Sequence, residues 1–161
     1  MKVKTISMFF NVAALITFFC LGFVSACSAL ERNHDPGLTS EIEEFSRNIK
    51  VPERDLKYVS VRFYTTTKDK NFSPSTIGVC YQLVKEVKID PTYFFKASYI
   101  KKKSLLWHEL AHCACGLKHI NSFMDDACPT SLMYAYTISN RCLNKHWGEY
   151  VTELRKQCQG R

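Results

Sequence analysis

Hydrophobic residues recur at helical spacing in three segments of the chain. The first begins with a capping box at Ser40 and ends before Pro52. The second is predicted to run from about residue 98 to residue 115 and to end at Gly116, because glycine commonly follows the last helical turn. The third is predicted to begin at a cap at Asn144, after which large side chains recur at helical spacing. These side chains are Trp147, Tyr150, Val151, Leu154 and Cys158.

Three shorter segments between the first two helices have the composition of β-strands. The segments, all rich in β-branched and aromatic side chains, are residues 58–64, 77–81 and 84–89. Residues 68–71 predict a turn, and Asp90-Pro91 predicts the start of a short helix. Residues 117–130 follow neither period and predict an irregular loop. This order of elements predicts a small α+β domain with a mixed sheet of a few strands.

An uncharged apolar run covers residues 6–24 and follows Lys2 and Lys4. A short basic region, an apolar run and small residues at its end are typical of a secretory signal peptide. The run is also nearly long enough to span a membrane, so a single membrane anchor is the alternative. The small residues end at Cys27, and the sequence Val-Ser-Ala-Cys there resembles the lipobox of bacterial lipoproteins.

The lipobox resemblance divides the chain into three parts. It implies a signal peptide at residues 1–26, a polar tether at residues 27–38 that is lipid-anchored through Cys27, and a domain at residues 39–161. In that family a serine after the cysteine, here Ser28, favours the outer membrane if the host is Gram-negative. Ordinary secretion is the alternative, and both interpretations place the domain outside the cytosol.

Composition narrows the class of protein further. The chain has 161 residues, the size of one domain. It carries 22 basic and 15 acidic side chains, and the predicted signal peptide removes two lysines and no acid, which leaves a net charge of +5. This balance excludes a long disordered acidic chain and a multi-pass membrane protein. No basic run is interleaved with aromatic residues, so we expect no nucleic-acid partner. We also expect the protein to be a monomer.

Six of the eight cysteines fall in the predicted domain. They are Cys80, Cys113, Cys115, Cys128, Cys142 and Cys158. An even number of cysteines in an oxidising compartment predicts up to three disulfides. A bridge from Cys113 or Cys115 to Cys128 would tie the second helix to the loop after it, although the spacing leaves the pairing open.

The second helix carries the side chains with the clearest chemistry. His108 and His112 are four residues apart, so their imidazoles lie one above the other and can bind one metal ion. Zinc is the natural candidate, because it accepts three protein ligands and keeps a place for water. Glu109 lies about 100° further round the helix, off the metal but close to that water, where a general base is needed. Apolar neighbours predict a buried helix, although such a motif also occurs by chance on ordinary core helices.

The motif continues with Gly116 and His119, and together these residues resemble the metzincin clan of zinc endopeptidases. In that clan the glycine turns the chain so that a third histidine, here His119, binds the metal. Residues 131–136, Ser-Leu-Met-Tyr-Ala-Tyr, resemble the Met-turn of the clan, with Met133 beneath the zinc. The usual spacing puts the glycine three residues after the second histidine, whereas Gly116 is four residues after His112.

The resemblance implies a small metzincin-like fold, a Zn²⁺ cofactor and hydrolysis of peptide bonds in the cell envelope. Glu109 would be the general base, and the substrate would be a protein, a peptide or a cell-wall peptide that lies along the edge of strand 77–81. Some metzincins stabilise the transition state with a tyrosine two residues after the methionine, but Ala135 stands there. Its neighbours Tyr134 and Tyr136 are therefore the candidates for that role.

Other interpretations of the same region stay open. The third metal ligand could come from further along the chain, and the candidates are His146, Asp125, Asp126 and Glu149. A structural zinc site is a second alternative, with the ligands Cys113, Cys115, His119 and Cys128. Cysteines two apart on a helix point about 200° away from each other, which disfavours that site. The non-enzymatic alternative is a catalytically inactive zinc-binding lipoprotein that acts as a binding or structural module.

Overall fold

The described part of the chain is an α+β arrangement of helices around a small mixed sheet, which confirms the predicted class. The computed structural model describes residues 34–64 and 75–160. The α-helices in these ranges are Thr39–Ile49 (α1), Glu53–Leu56 (α2), Pro91–Lys96 (α3), Tyr99–Cys115 (α4) and Asn140–Gln159 (α5). The strands are Ser60–Phe63 (β1), Gly78–Tyr81 (β2) and Glu86–Ile89 (β3). Each predicted helix and strand is therefore present, although several ends differ.

The sheet has the strand order β1-β3-β2. β1 runs parallel to β3, with Val61 opposite Val87. β2 runs antiparallel to β3, with Cys80 opposite Val87. Val61, Val87 and Ile89 are fully buried, so the two neighbouring strands turn one face to the core. Within the described ranges β2 is an edge strand, as predicted, and it packs against α4.

The core is centred on α4. Trp107 is fully buried, with its ring 5.6 Å from that of Phe45 in α1 and 5.3 Å from that of Trp147 in α5. Lys103 lies over the Trp107 ring, 4.8 Å from its centre, and its ammonium group pairs with Glu44. Burial of one large apolar side chain contributes about 1.5–3 kcal/mol. The helix that carries the predicted metal ligands is therefore held between α1 and α5.

The cap of α1 lies two residues before its predicted position at Ser40. Leu38 occupies the N-terminal cap position, and no side chain caps the helix. The Ser40 hydroxyl donates to the carboxylate of Glu41 instead, at 2.7 Å. The predicted capping box is therefore wrong, because the fully buried Leu38 fixes where the chain enters the helix.

The cap of α5 lies five residues before its predicted position at Asn144. The Ser139 hydroxyl caps it by accepting the N–H of Cys142 at 3.3 Å. At His146 the backbone departs from helical geometry, with φ −113° and ψ 15°, and the helix is kinked. The prediction is wrong at this end because Ser139 supplies the cap and Asn144 does not. The buried Leu143, four residues before Trp147, continues the helical spacing across the kink.

Residues 34–38 belong to the folded part of the chain, although the sequence predicts them as the end of a tether. His34 forms a parallel bridge with Val61, and Leu38 is fully buried. The Asp35 carboxylate accepts the N–H of Phe63 at 2.6 Å. The predicted signal peptide, the start of the tether with Cys27, and the predicted turn at residues 68–71 lie outside the described residues. Among the helices that are described, none is long and apolar enough to cross a membrane.

All six cysteines of the domain form disulfides, which confirms the prediction of bridges. The pairs are Cys80–Cys113, Cys115–Cys158 and Cys128–Cys142. The suggested bridge from Cys113 or Cys115 to Cys128 is wrong, because the two cysteines of α4 leave the helix in different directions. One is tied to β2 and the other to the last turns of α5. The C-terminal end of α4 is therefore covalently fixed on two sides.

We expect the double substitution Cys115→Ala, Cys158→Ala to lower the free energy of unfolding by about 4 kcal/mol. Loss of a disulfide raises the entropy of the unfolded chain, and the gain is larger when the disulfide closes a longer loop. The two cysteines are 43 residues apart in sequence. The matched pair Cys128→Ala, Cys142→Ala opens a separation of 14 residues, and its expected cost is about 3 kcal/mol. Urea unfolding measures both. An unchanged midpoint for the first pair would contradict its structural role.

Candidate metal site

The three histidines predicted as metal ligands meet at one point. His108 and His112 project from α4, and His119 reaches them from the loop that follows. The Nε2 atoms of His108 and His112 are 3.0 Å apart. The Nε2 atom of His119 lies 3.1 Å from that of His112 and 3.2 Å from that of His108. Three nitrogen atoms therefore form a nearly equilateral triangle.

Main-chain carbonyls determine which nitrogen carries the proton in two of these rings. Nδ1 of His108 lies 2.7 Å from the carbonyl oxygen of Leu132, and Nδ1 of His112 lies 2.6 Å from that of Leu117. Because a carbonyl oxygen only accepts, each Nδ1 must donate, and in the neutral ring Nε2 then bears a lone pair. Burial lowers the pKa of His108 to about 4 and also lowers the pKa of His112, so both rings are neutral near pH 7.

Two lone pairs thus face each other across 3.0 Å, a contact that is repulsive unless a cation lies between them. Zinc binds imidazole nitrogen at about 2.0–2.1 Å, and tetrahedral angles then place the ligand nitrogens about 3.3 Å apart. The edges of the triangle, 3.0–3.2 Å, come within a few tenths of an ångström of that value. The residues present therefore fit a metal ion, and the buried carbonyl partners orient the rings as is common around bound metals.

A widened last turn of α4 carries the chain from His112 to His119. The N–H groups of Gly116 and Leu117 both donate to the carbonyl of Ala111. They reach back five and six residues, further than the corresponding bonds of the usual glycine caps. Gly116 has φ 55° and ψ 26°, a left-handed conformation that glycine adopts without strain. The wide turn absorbs the additional residue before the glycine, so the unusual spacing still delivers His119 to the other two histidines.

The segment that resembles a Met-turn lies directly against this cluster. The carbonyl of Leu132 accepts from the His108 ring, and the carbonyl of Met133 accepts the N–H of Ile120 at 2.9 Å. Ile120 is the residue after His119, so the same two peptide units hold both the helix and the loop that supply ligands. The Met133 side chain is fully buried.

Glu109 is buried beside the cluster, with only 5% of its surface exposed. Burial raises the pKa of its carboxyl to about 8. Gly78 of β2 provides the space that this side chain occupies, since a Cβ there would lie 2.9 Å from Oε1 of Glu109 and 2.9 Å from Cδ1 of Leu105. The carboxyl is therefore confined between α4 and β2. A buried carboxyl with a pKa near neutrality is a candidate for proton transfer.

A cleft of about 490 Å³ joins these groups. His108, Glu109 and His119 lie on its wall, which β2, α3, α4 and the loop before α5 form. Tyr134 and Tyr136 line the same cleft, with their rings 5.5 Å apart, and Tyr136 is 73% exposed. Both tyrosines therefore lie on the same cleft as His108 and Glu109, and their role in stabilising a transition state stays a prediction.

The other candidates for the third ligand lie elsewhere. The Asp126 carboxylate contacts Nε2 of His146 at 2.9 Å and Nζ of Lys145 at 2.7 Å. The Glu149 carboxylate contacts Nδ1 of His146 at 3.0 Å. The hydrogen bonds from Lys145 and His146 hold the pKa of Asp126 well below its usual value, and the hydrogen bond to Asp126 raises the pKa of His146. These groups form an ion-pair network between the loop before α5 and α5 itself. Asp125 is exposed outside the histidine cluster.

The alternative zinc site built on cysteines is wrong. Cys113, Cys115 and Cys128 each belong to a different disulfide, so none of them offers a thiolate. The same reason excludes metal binding by the group of Asp126, Cys128 and His146, although their ligand atoms lie within 4.8 Å of one another. Among the described residues, the histidine triad remains as the group that could hold a metal ion.

No protein-family model, curated protein or solved structure matches the chain. The chemistry of the site is therefore inferred from its geometry. Three residues that shape this geometry, Gly78, Leu117 and Leu132, are not predicted by the sequence analysis. Gly78 had a signal, because a glycine that opens a strand marks a close approach of other groups. The carbonyls of Leu117 and Leu132 had none, because every residue carries a carbonyl.

Gly78→Ala is expected to lower the free energy of unfolding by about 1–2 kcal/mol, because the new Cβ would overpack Glu109 and Leu105. Gly148→Ala is the matched control, since nothing lies within 4 Å of a Cβ at that position of α5. Alanine there should raise the free energy of unfolding by about 0.5–1 kcal/mol, as it does inside helices generally. Urea unfolding compares the two. Equal stabilities of Gly78→Ala and the unmodified chain would contradict the close packing at Glu109.

Proposed function

We propose that the protein is a zinc-dependent endopeptidase of the cell envelope with a metzincin-like site. The observation that carries the proposal is the convergence of three Nε2 atoms beside a cleft that is lined by two of these histidines and by a buried carboxyl. His108, His112 and His119 would be the zinc ligands, and Glu109 the catalytic residue. A purely structural site has four protein ligands and needs no acid beside it. Three ligands, an adjacent carboxyl and an open cleft favour a hydrolytic site instead.

Zn²⁺ is the ion that the donor set favours. Three imidazole ligands with one position left open are an arrangement found in zinc enzymes. The three disulfides are compatible with an exported protein, and a redox-inert ion suits an oxidising compartment. Zinc bound by these nitrogens would supply Lewis-acid chemistry, since it lowers the pKa of a water molecule and polarises a carbonyl group.

Glu109 moves the proton in this proposal. As the oxygen of water bonds to the carbonyl carbon of a peptide, its proton passes to the Glu109 carboxylate. The carboxyl then donates that proton to the amine nitrogen as the C–N bond breaks. Burial favours the protonated form of this side chain, whereas the positive charge of a zinc ion bound by the three histidines would favour the carboxylate. Its confinement against Gly78 keeps the carboxyl at one place through both transfers.

β2 offers a main-chain edge on which an extended peptide can lie. The N–H of Asp90 donates to the carbonyl of Ile77 at 2.9 Å. In an antiparallel pair such bonds alternate, so residues 77, 79 and 81 pair with β3 while Gly78 and Cys80 direct their N–H and C=O groups away from it. A peptide added to this edge would pass beside Glu109, because Gly78 contacts that side chain.

Two features support the metzincin-like part of the proposal. The left-handed Gly116 delivers a third histidine to the helix pair, and the segment with Met133 lies against both ligand-bearing elements. Tyr134 and Tyr136 line the cleft and are the proposed donors to the developing oxyanion. A signal peptide and a lipid on Cys27 would place the enzyme at an envelope membrane, where envelope proteins, peptides or cell-wall peptides are the available substrates.

The second candidate function is a zinc-binding lipoprotein without catalysis. The burial of Glu109 weighs against it, because an acidic side chain is costly to bury unless it has a use. The following two experiments separate metal binding from chemistry.

Glu109→Gln should keep about one zinc per chain and lose cleavage of a casein or mixed-peptide substrate by roughly 10²–10⁴-fold, the usual contribution of a general base. The substitution preserves the size of the side chain and removes the group that accepts the proton. Zinc content is measured by atomic emission on the dialysed protein, and cleavage by mass spectrometry. Undiminished cleavage would remove Glu109 from the mechanism. Zinc-loaded wild-type protein without activity would favour the binding module.

His119→Ala should weaken zinc binding by at least about 100-fold, more than the effect usual for a residue that only orients a ligand. His146→Ala is the matched control, because its ring pairs with Asp126 and Glu149 and is not part of the triad. Competition with a chromophoric chelator measures both affinities. Loss of zinc affinity in His146→Ala alone would assign the third ligand to α5.

A further inference from the structure

The cleft contains a positive charge that the proposed chemistry does not use. Lys101 lies on its wall, in the first turn of α4, and its side chain is half-buried. Apart from the histidines, the acidic and basic side chains that line the described cleft are Glu109 and Lys101. We infer that Lys101 forms an anion subsite that binds a carboxylate of the peptide substrate a few residues from the cleaved bond.

The helix period places Lys101 on the same side of α4 as the zinc ligands. Ser104, Leu105 and His108 follow it at three, four and seven residues, and all of them line the cleft. Seven residues of α-helix span about 10 Å along the axis. An extended peptide covers that distance in about three residues. The ammonium group is therefore separated from the reaction centre along the cleft, at a distance that suits substrate recognition.

Lys101 is distinguished from its neighbours by the lack of an anionic partner among the described residues. Lys103 pairs with Glu44 and lies over Trp107. Lys102 lies over the Phe94 ring, 5.4 Å from its centre. Both of these lysines are engaged with the protein itself, whereas Lys101 faces the cleft. A half-buried ammonium group is only partly screened by water and salt, so an incoming carboxylate would gain a charge-assisted hydrogen bond.

The surroundings of Lys101 favour a carboxylate over an apolar group. The Ser104 hydroxyl lies one helical turn from it, and the phenol of Tyr93 belongs to the same cleft. Hydroxyl groups donate hydrogen bonds to carboxylates. The carboxylate can belong to a glutamate or aspartate side chain or to the C-terminus of a short peptide, and these two sources share the same chemistry at the subsite. This inference rests on the proposed endopeptidase function.

The test uses peptides that differ in one charge. Acetylated, amidated decapeptides carry a single glutamate at successive positions, and each has a partner with glutamine at that position. A second pair differs only in a free or an amidated C-terminus. We expect the zinc-loaded protein to cleave the best glutamate peptide about tenfold faster in kcat/KM than its glutamine partner, as one charge-assisted hydrogen bond would give. A preference for the free C-terminus instead would assign the subsite to a terminal carboxylate.

Substitutions assign the preference to one residue. Lys101→Met keeps the length of the side chain and should reduce the preference to about twofold or less, and Lys101→Glu should reverse it. Lys101→Arg keeps the charge and should retain it. Lys102→Ala is the matched control and should leave the preference unchanged, because that lysine lies on Phe94 rather than in the cleft. Equal cleavage of all pairs by the unmodified protein, or an unchanged preference in Lys101→Met, would overturn the inference.

A binding measurement separates failure of the subsite from failure of the proposed enzyme. The Glu109→Gln protein lacks the proposed general base, so peptides should bind to it without being cleaved. Fluorescence anisotropy of fluorescein-labelled versions of the same peptides gives their Kd values for the zinc-loaded variant. A glutamate preference that Lys101→Met abolishes in this background supports the subsite even if no peptide is cleaved, in which case only the proposed catalysis fails. Equal Kd values for the glutamate and glutamine peptides, or no binding of either, overturn the subsite.

Discussion

The contact between the uncharged Nε2 atoms of His108 and His112 is the constraint on which the site depends. Both rings donate their only proton to main-chain carbonyls, and burial disfavours protonation of the second nitrogen. Left to themselves, the two lone pairs would repel each other at 3.0 Å. A metal ion turns the same geometry into two favourable bonds. The third histidine, His119, points its own nitrogen at the same place.

Contacts outside the histidine cluster hold α4, and with it this arrangement, in place. Trp107 fixes α4 between α1 and α5. The bridges Cys80–Cys113 and Cys115–Cys158 then tie the end of the same helix to β2 and to α5. The ammonium group of Lys85 donates to the carbonyl of Cys113 at 2.7 Å, so a cation also stabilises the C-terminus of the helix. The three histidines, Glu109 and β2 are thus held together around α4.

Sequence alone predicted the parts of the site that depend on helical period. The spacing of His108, Glu109 and His112 determines their shared helix, and the glycine before His119 indicates the turn. Features that depend on contacts between distant segments could not be predicted. The disulfide pairing follows from where β2 and α5 meet α4, and the carbonyl that orients His108 belongs to a residue 24 positions away. The start of α5 was mispredicted for another reason: Ser139 and Asn144 are both good capping residues, and the structure shows Ser139 in that position.

X-ray absorption at the zinc edge of the purified, oxidised protein tests the central claim most directly. If the triad binds zinc, we expect one zinc per chain. The absorption spectrum should then show a ligand shell of three imidazole nitrogens and one oxygen at about 2.0–2.1 Å, with no sulfur. Preserved imidazole scattering in the His146→Ala protein would agree with that assignment. A sulfur shell at about 2.3 Å, or a protein that retains no zinc after dialysis, would contradict it.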